Sequence, residues 1–153
     1  MVELKGKDIF TLPQNDEAMC VTTNGIVKAN GHAVMGAGIA LQANQKLNLS
    51  AKLGSYLKQY GNRAFNLGKY KRPNGAIFTV FSFPTKHNFK DDSDINLICK
   101  SANELVEMCN KFGITKCYLT RPGCGCGKLN WEHTVKPWLE QILDDRFIVV
   151  TPK

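Results

Sequence analysis

Two glycine-rich segments are the first places in this chain where residue type and spacing could do chemistry. One is Val34-Met35-Gly36-Ala37-Gly38-Ile39-Ala40; the other is Arg121-Pro122-Gly123-Cys124-Gly125-Cys126-Gly127-Lys128-Leu129. Each stands just ahead of a helical pattern. Glycine lets the backbone come close to a phosphate, and the N–H groups of a helix's first turn have no intrahelical acceptor, so both segments read as phosphate cradles. Taken alone, the first segment also fits an ordinary loop-to-helix turn. A dinucleotide-binding fold would need an acidic residue about twenty positions further on to hold ribose hydroxyls. None occurs there, and Asn30-Gly31-His32 separates the first glycine from any strand. A G-x-x-x-x-G-K-[ST] phosphate loop is absent as well.

The six cysteines are Cys20, Cys99, Cys109, Cys117, Cys124 and Cys126. No C-x-x-C pair or other ligand spacing points to zinc, so no metal is expected. Cys124 or Cys126 could act as a nucleophile only with a positioned base and a lowered thiol pKa. His133 is near in sequence but falls on the helix that follows, and nothing else supplies the base.

The elements that must position these loops alternate between strand and helix, which predicts a mixed sheet with helices on both faces. Strands are expected at Val2–Leu4, Ala18–Thr23, Arg63–Leu67, Ala76–Phe83, Lys116–Thr120 and Phe147–Val150. Helices are expected at Ile39–Leu47, Ala51–Tyr60 and Asp94–Phe112. The last carries Ile95, Ile98, Ala102, Leu105, Val106 and Cys109 on one stripe, a capping Asp92, Ser93 or Asp94 at its start and Gly113 at its end. Trp131, Val135, Trp138, Leu139 and Ile142 form another helical stripe, which Pro137 forces to begin late or kink. Both glycine-rich loops then join a strand region to a helix. That suits a diphosphate held at the carboxyl ends of the strands.

The chain has 153 residues, 43% of them hydrophobic, which suits a single domain spanning 1–153 with one ordinary core. No run of ~18 apolar residues appears, and the first residues lack the apolar stretch of a secretion signal. A cytoplasmic protein with free thiols and no membrane contact is therefore expected. The net charge is +7, and no acidic residue lies between Glu17 and Asp91, a stretch holding ten Lys or Arg. Such a face favours a phosphate-bearing partner, nucleotide or nucleic acid, although it also reads as a solvated basic surface.

Four segments together resemble a known family. Met35-Gly36-Ala37-Gly38-Ile39-Ala40 resembles the M-G-x-G-I-A catalytic loop of macrodomains. Phe83-Pro84-Thr85-Lys86 is similar to the F-P-T-K segment of the DNA ADP-ribosyl glycohydrolase antitoxins. The run from Gly123 to Trp131 resembles the G-C-G-x-G-x-L-x-W loop of that branch, which also holds the terminal ADP-ribose glycohydrolases. Gly6-Lys7-Asp8-Ile9-Phe10 is similar to the opening G-D-[IL]-F segment with one extra residue.

The resemblance implies a three-layer α/β/α sandwich of the α/β class, with a mixed central sheet and an ADP-ribose crevice above it. It implies that Asp8 meets the adenine amino group and that Ile9 lies beside the ring. Met35, Gly36, Ala37, Gly38 and Ile39 would wrap the distal ribose and one phosphate. Pro122, Gly123, Cys124, Gly125, Cys126 and Gly127 would cradle the diphosphate. Asn30, or alternatively Asn24, would reach the distal ribose hydroxyls, though either asparagine also reads as a turn residue.

Lys86 is the main catalytic candidate by resemblance; without it, a solvated loop lysine would be the default. Near an anomeric carbon a lysine stabilises developing negative charge, or attacks as a free amine. His32 is a candidate base toward a terminal phosphate. Protein-directed relatives carry a catalytic aspartate in the second loop where this chain has Gly127, whereas the antitoxin-like relatives have glycine there. The expected activity is release of ADP-ribose from a modified protein or nucleic acid, or dephosphorylation of ADP-ribose 1″-phosphate, without a cofactor. The alternative is a reader that binds ADP-ribose or a related nucleotide and does nothing further.

Overall fold

The computed structural model describes residues 1–152. Six strands form one sheet in the order β1-β6-β5-β2-β4-β3. They are β1 (Val2–Lys5), β2 (Ala18–Thr23), β3 (Asn66–Lys71), β4 (Ile77–Pro84), β5 (Cys117–Thr120) and β6 (Phe147–Thr151). All neighbours run parallel except β3, which pairs antiparallel with β4. Four helices complete the fold: α1 (Gly38–Leu47), α2 (Ser50–Tyr60), α3 (Ile95–Phe112) and α4 (Lys136–Ile142).

Alternation along the strands builds two separate cores, because successive side chains leave opposite faces of a sheet. Met19 and Val21 of β2 pack with Phe78 and Val80 of β4 against Ala43 of α1 and Leu53 and Leu57 of α2. Ala18, Cys20, Phe81 and Phe83 point the other way, against Ile98, Leu105 and Leu139 of α3 and α4. The result is the α/β/α sandwich expected from the sequence. The second core also holds three of the thiols. Cys20 Sγ lies 3.5 Å from Cys117 Sγ. Its contact with Cys117 and its burial raise the Cys109 thiol, and burial holds Cys117 well above the usual range. All three behave as small apolar side chains.

Local signals set most boundaries. Asp94 caps α3, accepting from Asn96 N at 2.8 Å and Leu97 N at 3.4 Å, and Gly113 ends that helix with φ of 67°. Pro137 sits at the start of α4, where its missing N–H costs nothing. A wide turn over Trp131–Val135 precedes it. One expectation needs correction. The strand expected at Arg63–Leu67 begins instead at Asn66 and runs to Lys71, with a register shift between Asn66 and Lys69. The chain at 64–65 is held by side chains, Ala64 N donating to Glu104 Oε1 and Phe65 N to Ser82 Oγ. β3 is an edge strand, and lysines and a glycine at such an edge mask its strand character. Among the described residues no helix is long and apolar enough to cross a membrane.

Candidate ligand cleft

The carboxyl ends of the parallel strands open into one cleft of about 1560 Å³. Gly6, Thr23, Thr85, Arg121 and Thr151, each at or just beyond a strand end, line it. The two glycine-rich loops face each other across it, as the sequence predicted for a strand-to-helix loop pair.

In the first loop, Gly36, Ala37, Gly38 and Ile39 line the cleft. α1 starts there without a side-chain cap on its N-terminus. Its first-turn N–H groups therefore point at the cleft with no intrahelical acceptor, a geometry suited to an anion. Asn24 ties this loop to the end of β2: its Nδ2 donates to Val34 O at 3.0 Å and its Oδ1 accepts from Ile26 N at 3.0 Å. Asn24 thus lines the cleft, with both ends of its amide occupied by backbone.

The second loop, Gly123 to Gly127, lines the opposite side. Its carbonyls turn into the protein: Gly123 O accepts from Leu129 N at 2.9 Å and Gly127 O accepts from Ser93 N at 3.0 Å. Among the described residues the N–H groups of Gly125, Cys126 and Gly127 have no acceptor. Three consecutive free donors make a nest for phosphate oxygens. Two glycines are obligatory for this shape. Gly123 has φ of 76°, and a Cβ at Gly127 would overlap Ser93 Oγ and lie 2.5 Å from Gly123 O.

Asp8 and Ile9 form the near wall. Asp8 caps a short turn, accepting from Phe10 N at 3.0 Å, and stays exposed; Ile9 is buried beneath it. Lys86 lines the rim, where Nζ donates to Cys126 O at 3.3 Å and Phe89 O at 3.5 Å. It joins the Phe-Pro-Thr-Lys segment to the second loop.

The other candidates lie elsewhere. Neither Asn30 nor His32 lines the cleft. Asn30 Oδ1 accepts from His32 N at 3.0 Å, and His32 Nδ1 lies 3.1 Å from Ser50 Oγ, so the pair forms a turn packed on α2. Met35 and Pro122 are buried and sit behind their loops rather than in the cleft. Cleft residues that the sequence reading did not count as site candidates include Gln42, Phe89, Ser93 and Arg121. Arg121 had a signal, being the first residue after β5.

Arg121 belongs to a cluster that holds the second loop. Its guanidinium lies 5.4 Å from the Trp131 ring centroid and 3.8 Å from Glu3. Glu3 also accepts from Trp131 Nε1 at 2.9 Å and pairs with Lys136 at 2.8 Å. The Lys136 hydrogen bond, then that of Trp131, hold the Glu3 carboxyl below its ordinary range against the opposing effect of burial. A carboxylate whose folded pKa is depressed stabilises above its unfolded pKa, and that part is lost as pH falls through the folded value. Glu3→Gln keeps an acceptor for Trp131 and removes only the charge. It is expected to lower the melting temperature at pH 7 and to converge with wild type only once the pH has fallen through the depressed Glu3 pKa. Thermal melts across pH check this; a constant gap at every pH would contradict it.

Cys124 donates to Pro122 O at 3.4 Å, and burial pushes its thiol up to about 11. At neutral pH it should alkylate roughly 100-fold more slowly than an ordinary thiol, because only the thiolate reacts. Peptide mapping after iodoacetamide treatment checks this, and fast labelling would revive a thiol mechanism. Among the described residues no group of three His, Cys, Asp or Glu side chains is placed to hold a metal ion.

No family model matches the chain. It is 27% identical over 145 residues to the human ADP-ribose glycohydrolase OARD1, covering 94% of this chain and 85% of that protein. Among solved structures, Thermosipho africanus DarTG in complex with ADP-ribose is similar with a TM-score of 0.76 and 22% identity. That match covers 95% of this chain, which spans only 40% of the DarTG chain. The macrodomain of Mycobacterium tuberculosis DarG is similar with a TM-score of 0.75 and 22% identity, covering 99% of this chain and 98% of that one.

Proposed function

The chain has the macrodomain fold, and from that premise we propose that it binds ADP-ribose in the cleft and hydrolyses an ADP-ribosyl linkage. The diphosphate lies between the α1 N-terminus and the free N–H groups of Gly125, Cys126 and Gly127. Asp8 and Ile9 take the adenine, and the distal ribose points toward Lys86. Human ADP-ribose glycohydrolase OARD1 and DarTG in complex with ADP-ribose support the choice of ligand by their likeness to this chain.

The observation that carries the hydrolytic reading is the placement of Lys86. Its Nζ is held at the rim by the carbonyls of Cys126 and Phe89. An ammonium has three donors, and the two carbonyls take two. The third serves the group departing from the anomeric carbon. A water oxygen bonds to that carbon, the bond to the acceptor breaks with its electron pair on the acceptor, and the acceptor gains a proton. Free ADP-ribose and unmodified acceptor result. Release of ADP-ribose from modified protein and modified DNA, measured for wild type and Lys86→Ala side by side, tests the reading.

One observation favours a second reading, a binder without turnover. The cleft carboxylates are already engaged: Asp8 caps its turn and Glu132 lies 3.7 Å from Lys136. Gly127 has no room for an acidic side chain beside Ser93. Tight binding of ADP-ribose with no release from any modified acceptor would establish the reader.

A further inference from the structure

Lys86 stands two residues beyond β4, where no ladder or helix holds the chain. A lysine there can act on one atom of a substrate only if its backbone is fixed. Four consecutive carbonyls of this segment are fixed, each by a donor from another part of the fold. Ser101 Oγ of α3 donates to Pro84 O at 2.7 Å, and Asp94 N, at the cap of α3, donates to Thr85 O at 2.9 Å. Gly25 N donates to His87 O at 3.0 Å; its neighbour Asn24 anchors the first glycine-rich loop. The Lys86 carbonyl itself accepts from a side chain, Asn62 Nδ2, at 3.0 Å.

Asn62 is itself clamped from both sides. It follows Gly61, which ends α2 with φ of 83° and its N–H on Leu57 O. Beyond it, Glu104 of α3 accepts from Ala64 N at 3.1 Å and pairs with Arg63 at 3.5 Å. An amide nitrogen carries two hydrogens and only donates. One goes to Lys86 O; the other reaches His87 Nδ1 at 3.2 Å, which makes that ring nitrogen the acceptor. Asn62 Oδ1 is buried and has no protein partner among the described residues, so the hydrogen bonding of this side chain is all donation to the Lys86 segment. Gly25 gives the amide its room: a Cβ there would lie 2.9 Å from Asn62 Cγ and Nδ2 and 3.0 Å from His87 O. Asn62, Gly25 and His87 all lie outside the cleft lining.

We propose that Asn62 is a positioning residue for Lys86: its amide fixes the lysine backbone relative to the first loop, and through it the placement of Nζ against the bond that breaks. Nζ needs that reference. Its stem is long and flexible, and its two hydrogen bonds are 3.3 and 3.5 Å. Of the two acceptors, Phe89 O moves with the same segment, which leaves Cys126 O as the one tie to another element. A misplacement of about 1 Å, caused far from the reacting atoms, costs about 10²-fold in rate. The kinetic consequence rests on the hydrolytic reading of the cleft; the placement of Nζ does not.

Two variants test this from opposite sides. Asn62→Leu keeps the volume of the side chain and removes both donors, whereas Gly25→Ala keeps Asn62 and displaces its amide. Each should lower the single-turnover rate of ADP-ribose release roughly 10- to 100-fold. ADP-ribose affinity should change by less than about threefold, because backbone N–H groups hold the phosphates. In a Lys86→Ala background neither change should slow release further, a non-additivity that general loosening of the fold does not produce. Lys86 should also acetylate about fivefold faster in both variants under an amine-selective reagent, the change in freedom that one hydrogen bond controls. Mass spectrometry reads this against exposed Lys58 as the internal reference. Unchanged labelling of Lys86 in both variants would overturn the proposal whatever the turnover. So would wild-type rates in both, an affinity loss as large as the rate loss, or slowing by Asn62→Leu that persists in full without Lys86. If wild type releases no ADP-ribose, the hydrolytic reading fails and the labelling alone decides the placement of Lys86.

Discussion

Lys86→Ala is expected to lower the rate of ADP-ribose release roughly 10²- to 10⁴-fold, the range for removing a positioned proton donor. Its ADP-ribose affinity should change by less than about fivefold, because the phosphates are held by backbone N–H groups on the two glycine-rich loops. The side chain makes only two long hydrogen bonds, to Phe89 O and Cys126 O, so its loss leaves the fold intact. Lys86→Arg separates two roles. Partial recovery of the rate means that the lysine acts as a hydrogen-bond donor and charge, whereas no recovery means that the amine itself is needed, to transfer a proton or to attack, since a guanidinium does neither. Single-turnover kinetics on one modified acceptor, with calorimetry of ADP-ribose, check both halves. Equal turnover by Lys86→Ala and wild type would remove Lys86 from the chemistry.

Gly127→Ala is expected to cost stability and ligand binding together. The new methyl group would overlap Ser93 Oγ and crowd Gly123 O at 2.5 Å. Overpacking of this kind costs about 1–3 kcal/mol, roughly 3–10 °C in melting temperature for a domain of this size. Relief requires the loop to shift, which disperses the three free N–H donors; ADP-ribose affinity should fall at least roughly tenfold with them. Ser93→Gly in the same chain removes one of the two obstacles and should restore part of the melting temperature, a coupling that distant substitutions do not show. Additive losses in the double variant would mean that the two residues do not press on each other.

Much of this site was legible in the sequence because its signals are local. Glycines ahead of a helical stripe marked both loops, and Asp94, Gly113 and the apolar stripe between them marked α3 to within one residue. The acid-free run from residue 18 to 90 was visible as composition. What escaped depends on partners far apart in the chain. Glu3 and Trp131 are separated by 128 positions, and nothing near either announces the bond. Ser93 enters the cleft wall only because the turn before α3 packs under Gly127. Asn30 and His32 stand close to the first loop in sequence, yet their turn folds back onto Ser50. β3 was placed three residues early because its lysines and Gly68 carry no apolar alternation, as an edge strand needs none.

The most direct test of the account is calorimetric titration of the protein with ADP-ribose, with AMP and NAD in parallel. One site of micromolar or tighter affinity, an order of about −8 kcal/mol, is predicted, clearly stronger than for AMP because both loops then grip one diphosphate. Absence of ADP-ribose binding, or binding no tighter than AMP, would contradict the assignment of the cleft.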